Sequence, residues 1–232
     1  SAASDVYKRQ GLRCKWCCSV GAMHAHDLLN VIYTAGVVFD GLSTSRFATD
    51  RFLRTGDTDG VRGRGDLALL QDLQAVAEFV IKTAGSHINA DYLSRINGQL
   101  TRSAALNPGA LRRAEQGIGV NTAHGRHEPE ALRAGEVDVI VTKQLAHTDP
   151  LEASAYLFVE LARAQPFEDG NKRTAIFAAN SYLLGQGTGA LLAVPHDDED
   201  PTVSATFSDL LARAYVFGEV EPVVEMLLKN LR

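Results

Sequence analysis

Apolar residues recur at helical spacing in one segment after another of this 232-residue chain, and no long stretch shows the alternation of a half-buried strand. Leu67, Leu70, Leu73, Ala77, Val80 and Ile81 form the clearest stripe. An earlier one, Leu28, Leu29, Ile32 and Tyr33, is broken by Gly41. Ser43 or Thr44 is placed to cap a second helix carrying Phe47, Phe52 and Leu53, and Asp66 to cap the helix after a polar loop from Gly56 to Gly65. Asn89 opens a helix with Tyr92, Leu93, Ile96 and Leu100, and Asn107-Pro108-Gly109 closes that unit. Gly117-Ile118-Gly119-Val120 reads as one short strand before a polar turn through His124 and His127, and Pro129 fits the first turn of the next helix. Asp149-Pro150-Leu151-Glu152 carries an N-cap, a proline at the first helical position and a capping-box glutamate. A further helix runs from about Lys172 to Leu184 and stops at Gly185, and two more, near Phe207–Val216 and Pro222–Leu231, complete the chain. The expected class is all-α with at most one small β-hairpin.

Composition narrows the function. With 45% hydrophobic and 22% charged residues the chain suits one globular domain, alone or with an N-terminal extension. A net charge of −5 and no long basic block argue against a nucleic-acid partner. No apolar run approaches the roughly 20 residues of a membrane span, and the first residues lack a secretory pattern. A cytoplasmic protein with no membrane partner is expected. Cys14, Cys17 and Cys18 offer half of a zinc site. No second cysteine pair completes it, and His24 and His26 would have to supply the rest. The opening residues have no periodicity, and Met23 directly precedes the first patterned segment, so residues 1–22 are expected to lie outside the fold.

Residues 165–174 read Gln-Pro-Phe-Glu-Asp-Gly-Asn-Lys-Arg-Thr. They connect two expected helices. A helix N-terminus presents unpaired N–H groups and the positive end of the dipole, a natural phosphate site. Gly170 and Asn171 stand where the chain enters the second helix. Glycine permits close backbone approach, and Lys172 and Arg173 add positive charge, Arg173 with bidentate capacity. Asp169 supplies the hard oxygen that Mg²⁺ prefers beside phosphates. Phe167 is placed to anchor the loop in the core, and Pro166 limits its freedom.

This stretch resembles the active-site loop of the Fic/Doc family, whose usual text is His-Pro-Phe-x-Asp-Gly-Asn-(Gly or Lys)-Arg. It departs at the histidine, which is Gln165 here. The resemblance extends over about residues 65–231, leaving 23–64 as N-terminal helices and 65–232 as the Fic/Doc-like domain. It implies a Fic/Doc-like helical bundle with a small β-hairpin flap, near 118–130, that aligns a target peptide. It also implies ATP and Mg²⁺ as cofactors and transfer of AMP or a phosphoryl group to a Ser, Thr or Tyr hydroxyl of a target protein. An antitoxin is a further implied partner.

Residue by residue, the resemblance puts the catalytic base position at Gln165, phosphate binding at Gly170, Asn171, Lys172 and Arg173, Mg²⁺ at Asp169 and the loop anchor at Phe167. The lysine form at 172 is that of the Doc-like toxins, which resemble kinases. A glutamine amide cannot take up a proton near neutral pH, and loss of a general base costs about 10²–10⁴-fold. Glu168, His124, His127 and His147 are the candidate substitutes. Three readings stand: a protein-modifying transferase, a nucleotide-binding pseudoenzyme acting as a binding module, and a transferase with another phosphate-linked donor. Many family members also carry an inhibitory helix reading (Ser/Thr)-x-x-x-Glu-(Gly/Asn). Gly36 to Gly41 stands in its place with Asp40 for the glutamate, and Ile176 occupies the partner arginine's position. No ion pair is expected there, and 26–54 reads as a packing helix pair.

Overall fold

Two helices and the loop between them form the centre of the molecule. The structure, a computed structural model, describes residues 23–103 and 107–231. In chain order, a 3₁₀ turn (Ala25–Leu28) precedes α1 (Leu29–Asp40), α2 (Arg46–Thr55), α3 (Gly63–Lys82) and α4 (Ala90–Asn97). A hairpin of β1 (Val120–Thr122) and β2 (Gly125–His127) follows, then α5 (Ala134–Gln144), α6 (Pro150–Ala164), α7 (Asn171–Gln186), α8 (Pro201–Phe217) and α9 (Val220–Lys229). The strands are antiparallel, with Val120 opposite His127 and Thr122 opposite Gly125. The class is the all-α one expected, with a single small sheet among the described residues.

Helix α7 is buried on nearly every side, including the run from Arg173 to Ser181. Such a helix must sit inside the bundle, and α7 packs against α6, α3, α4 and α1. One continuous core runs from Ala25 to Leu227 and holds Phe158, Phe167, Phe177 and Phe207. Several ends follow local chemistry. Asn89 and Asp149 accept from the N–H groups of Tyr92 and Leu151, and Gly41 ends α1 in the left-handed region at φ 68°.

Other ends differ from expectation, each because a more distant contact prevails. The cap of α2 is Ser45, which accepts from Ala48 N. Ser43 and Thr44 are held instead by the Asp66 carboxylate, which takes their backbone N–H groups and hydroxyls. Asp66 therefore lies inside the first turn of α3 rather than capping it. Helix α5 starts at Ala134, well past Pro129, whose carbonyl accepts from a buried arginine. Helix α7 continues through Gly185 to Gln186, because Gly185 lies against Gly85, where a Cβ would come within 2.7 Å of its nitrogen. The strand pairing begins at Val120 and excludes Gly117–Gly119.

The cysteines and the reading of residues 1–22 lie outside the described residues. His24 and His26 stack with centroids 5.5 Å apart. Among the described residues no helix is long and apolar enough to cross a membrane.

Candidate active-site loop

The loop from Gln165 to Gly170 begins as α6 ends. Gln165 lies in the left-handed region, φ 48° and ψ 56°, the one described non-glycine residue with positive φ. Such a conformation costs an L-residue about 1–2 kcal/mol, so its surroundings must hold it. Arg112, buried, donates through Nε to the Gln165 carbonyl at 2.7 Å and through its backbone N–H to Pro166 O at 2.9 Å. Its Nη2 donates to the carbonyls of Pro129 and Glu130, both at 2.6 Å. Burial lowers the Arg112 pKa. The Gln165 amide is buried and engaged at both ends: Nε2 donates to Ala162 O at 2.6 Å and Oε1 accepts from Asn171 at 3.1 Å.

Asn171 completes the lock. Its Oδ1 accepts from Phe167 N and its Nδ2 donates to Phe167 O, both at 2.8 Å. The Asn171 side chain is therefore engaged within the loop. Phe167 is the core anchor expected, 1% exposed and bridged to Leu111. Gly170, the N-cap of α7, has φ 72°. A Cβ there would come within 2.4 Å of Leu100 Cδ1. Its glycine is thus required by backbone conformation and by Leu100, beyond any approach of a ligand. Asn97 braces the same turn, donating to Asp169 O and Thr174 Oγ1 at 3.0 Å each.

From Asp169 to Arg173 only Asp169 is exposed; Gly170, Asn171 and Arg173 are buried and Lys172 is partly buried. Asp169 is exposed, and its Oδ1 accepts from Gly170 N at 2.6 Å. One exposed carboxylate fits Mg²⁺, which takes its remaining ligands from phosphate and water. Arg173, 3% exposed, donates from Nη1 to Ser103 Oγ at 2.7 Å. Its Nε lies 3.4 Å from Asp40 Oδ2, and its Nη2 3.8 Å from Asp169 Oδ2. The end of α1 thus does meet an arginine. It is Arg173, while Ile176 stays in the core. Burial raises the Asp40 pKa against the lowering effect of Arg173 and Lys172. Burial likewise lowers the Lys172 pKa, and its ammonium lies over the Phe39 ring at 4.9 Å.

A cavity of about 370 Å³ opens beside Lys172, between the hairpin, the end of α1 and α8, with Phe39, Phe207, Leu211 and Tyr215 among its walls. Tyr215 is buried and its hydroxyl has no hydrogen-bond partner; it faces the Gln165 side chain without a well-formed bond, and burial raises its pKa. A larger hollow, about 970 Å³, lies elsewhere, beside Met23, Arg54, Lys82 and Gly185, and includes no loop residue.

None of the candidate substitute bases is free at Gln165. His127 Nε2 donates to Arg163 O at 2.7 Å while its ring stacks on Tyr215. His124 pairs with Asp209 at 2.7 Å. His147 stacks on Tyr156 at 4.4 Å, and Glu168 holds Asn107 and Gln116. Sequence reading missed Arg112, Asn97, Phe39, Ser103 and Tyr215. Nothing local marks them, because each acts through partners far away in the chain.

A helical bundle with a clasped loop at the N-terminus of its central helix defines the class, and comparison agrees. Residues 87–183 match the model described as the Fic/DOC family. A Fic-domain-containing signalling protein from Bacteroides thetaiotaomicron superposes with TM-score 0.65 at 17% identity, covering 96% of this chain and 88% of that one. A Fic-1 fragment from C. elegans gives 0.68 at 17% identity, over 96% of this chain and 65% of that one. At such identity the likeness is one of fold. A search of curated proteins finds no match to this chain.

Proposed function

We propose that the start of α7 binds the phosphates of ATP with Mg²⁺, and that the protein is a nucleotide-dependent modifier of protein hydroxyls, transferring AMP or a phosphoryl group, slowed by Gln165. The observation that carries this reading is the gathering of charge at the start of α7. The first N–H groups of α7 have no intrahelical acceptor, Arg173 and Lys172 flank them, and exposed Asp169 stands beside Arg173. Those N–H groups and the Arg173 guanidinium would hold phosphate oxygens. Asp169 would hold Mg²⁺, which supplies charge neutralisation when bound. The cavity beside Lys172 would take the remainder of the nucleotide, and the hairpin over it would align the Ser, Thr or Tyr hydroxyl of a target protein. Gln165 can orient that hydroxyl through its amide but cannot take its proton.

Calorimetric titration with ATP, with and without Mg²⁺, tests the binding; absence of Mg²⁺-dependent binding overturns it. Label transferred from α- or γ-labelled ATP then distinguishes AMP from phosphoryl transfer. One observation favours a second reading, a nucleotide-binding module without turnover: both ends of the Gln165 amide are already engaged within the loop. That reading predicts ATP binding with no transfer of either label.

A further inference from the structure

Asp72 lies in the middle of α3, and its carboxylate is fully buried, yet no residue of its own helix needs it. It gathers the segment 101–103. Oδ1 accepts from Thr101 N at 3.2 Å and Oδ2 from Ser103 N at 2.7 Å, while Arg102 N lies within 3.2 Å of both oxygens. The Arg102 side chain adds a contact at 3.3 Å. The Ser103 hydroxyl also donates to Asp72 Oδ2, at 2.8 Å. A serine has one hydroxyl proton. With that proton directed at Asp72, the Ser103 oxygen can only accept on its other side. What it accepts is Arg173 Nη1 at 2.7 Å. The carboxylate therefore fixes the polarity of Ser103, and Ser103 fixes one edge of the guanidinium.

We propose that Asp72 is a positioning residue that acts through Ser103 to hold the Arg173 guanidinium in one orientation at the start of α7. The remaining guanidinium edges then face Asp40 and Asp169, of which Asp169 is the exposed one. An arginine has a long, flexible stem, and a group that must meet a ligand in one geometry needs supporting contacts of this kind. Two oxygens of Asp72 shared among several backbone donors make the support rigid. That the ligand is a nucleotide phosphate rests on the function proposed above; the orientation of Arg173 does not.

The test uses the full chain with labelled arginine and the variants Ser103→Ala and Ser103→Thr, which leave the backbone donors to Asp72 in place. Asp72→Asn is the direct variant, but loss of a buried carboxylate can unfold the segment, so the serine variants carry the decision. The first readout is the side-chain nitrogen resonances of Arg173, free of ligand. Restricted, separate resonances in the parent should collapse to an averaged signal in Ser103→Ala and return in Ser103→Thr. The second readout is ATP·Mg²⁺ affinity, expected to fall about tenfold in Ser103→Ala, the scale of a hydrogen bond to a charged group, and to recover in Ser103→Thr. Arg173 resonances that stay separate in Ser103→Ala overturn the proposal. Collapse and recovery in a protein that takes up no ATP uphold the positioning role and remove the nucleotide reading instead.

Discussion

The two halves of the loop between α6 and α7 are built on opposite rules. From Gln165 to Phe167, the backbone polar groups find partners inside the protein: Leu161 O for the Gln165 N–H, Arg112 for the carbonyls of Gln165 and Pro166, and Asn171 for both groups of Phe167. From Asp169 to Arg173 charged side chains take over. Asp169 is exposed, Lys172 rests on an aromatic face, and the first turn of α7 keeps the unmatched donors that every helix start has. A saturated turn fixes where the helix begins, and the unsaturated start can then wait for a ligand without distorting.

Arg112→Met attacks the saturated half and should have the largest effect. It leaves the buried carbonyl of Gln165 without its side-chain donor, at a cost of about 2 kcal/mol, while the carbonyls of the more exposed Pro129 and Glu130 can turn to water. The urea midpoint reads it, and a loss below about 1 kcal/mol would show that the turn is held by something else. Gln165→His tests whether the saturated half lacks only a proton acceptor. Histidine tolerates the left-handed region comparatively well, so the fold should survive and protein modification should rise about 10²-fold. The gain should fade below the imidazole pKa, about 6.5 before perturbation. Adduct mass on a validated target measures it, and an inert variant that still binds ATP shifts the balance to the binding module.

Arg173→Ala attacks the charged half. ATP·Mg²⁺ affinity should fall about tenfold or more, with the Gln165 turn intact. Unchanged affinity by calorimetry removes Arg173 from the site. The smallest effect concerns pH. Burial raises the Asp40 pKa in the folded protein, so the native state holds that proton more tightly than the unfolded chain. The associated stability is fully present below the unfolded pKa of about 3.9 and is lost as pH rises through the higher folded value. Asp40→Asn should abolish this loss, making stability flatter with pH above 4 or so. Parallel pH dependence in parent and variant would falsify the assignment.

What the sequence showed and what it hid divide along the same line as local and distant contacts. Asn89, Asp149-Pro150 and Gly41 act on their own helices, and each was legible. Asp66 has the look of a cap, but its carboxylate serves Ser43 and Thr44 on another segment. The loop was legible as a connection between two helices, and Phe167 lies in the core. The reasons for individual residues were less so. Asn171 looked like a ligand and is a clasp, and Gly170 is fixed by Leu100 as much as by any approach of phosphate. Arg112 and Asp72 carry no local signature, since an arginine or aspartate in isolation reads as a solvated charge.

The contacts that shape the loop also join points far apart along the polymer. Arg112 and Gln165 are separated by 53 positions, Ser103 and Arg173 by 70, Asn97 and Asp169 by 72. Each such closure carries an entropic cost before its bond can form, whereas the turns of α6 and α7 close within a few residues. During folding the helices should therefore come first and the clasp around Gln165 late. The order of assembly sets the clasp on a scaffold of helices that is already complete.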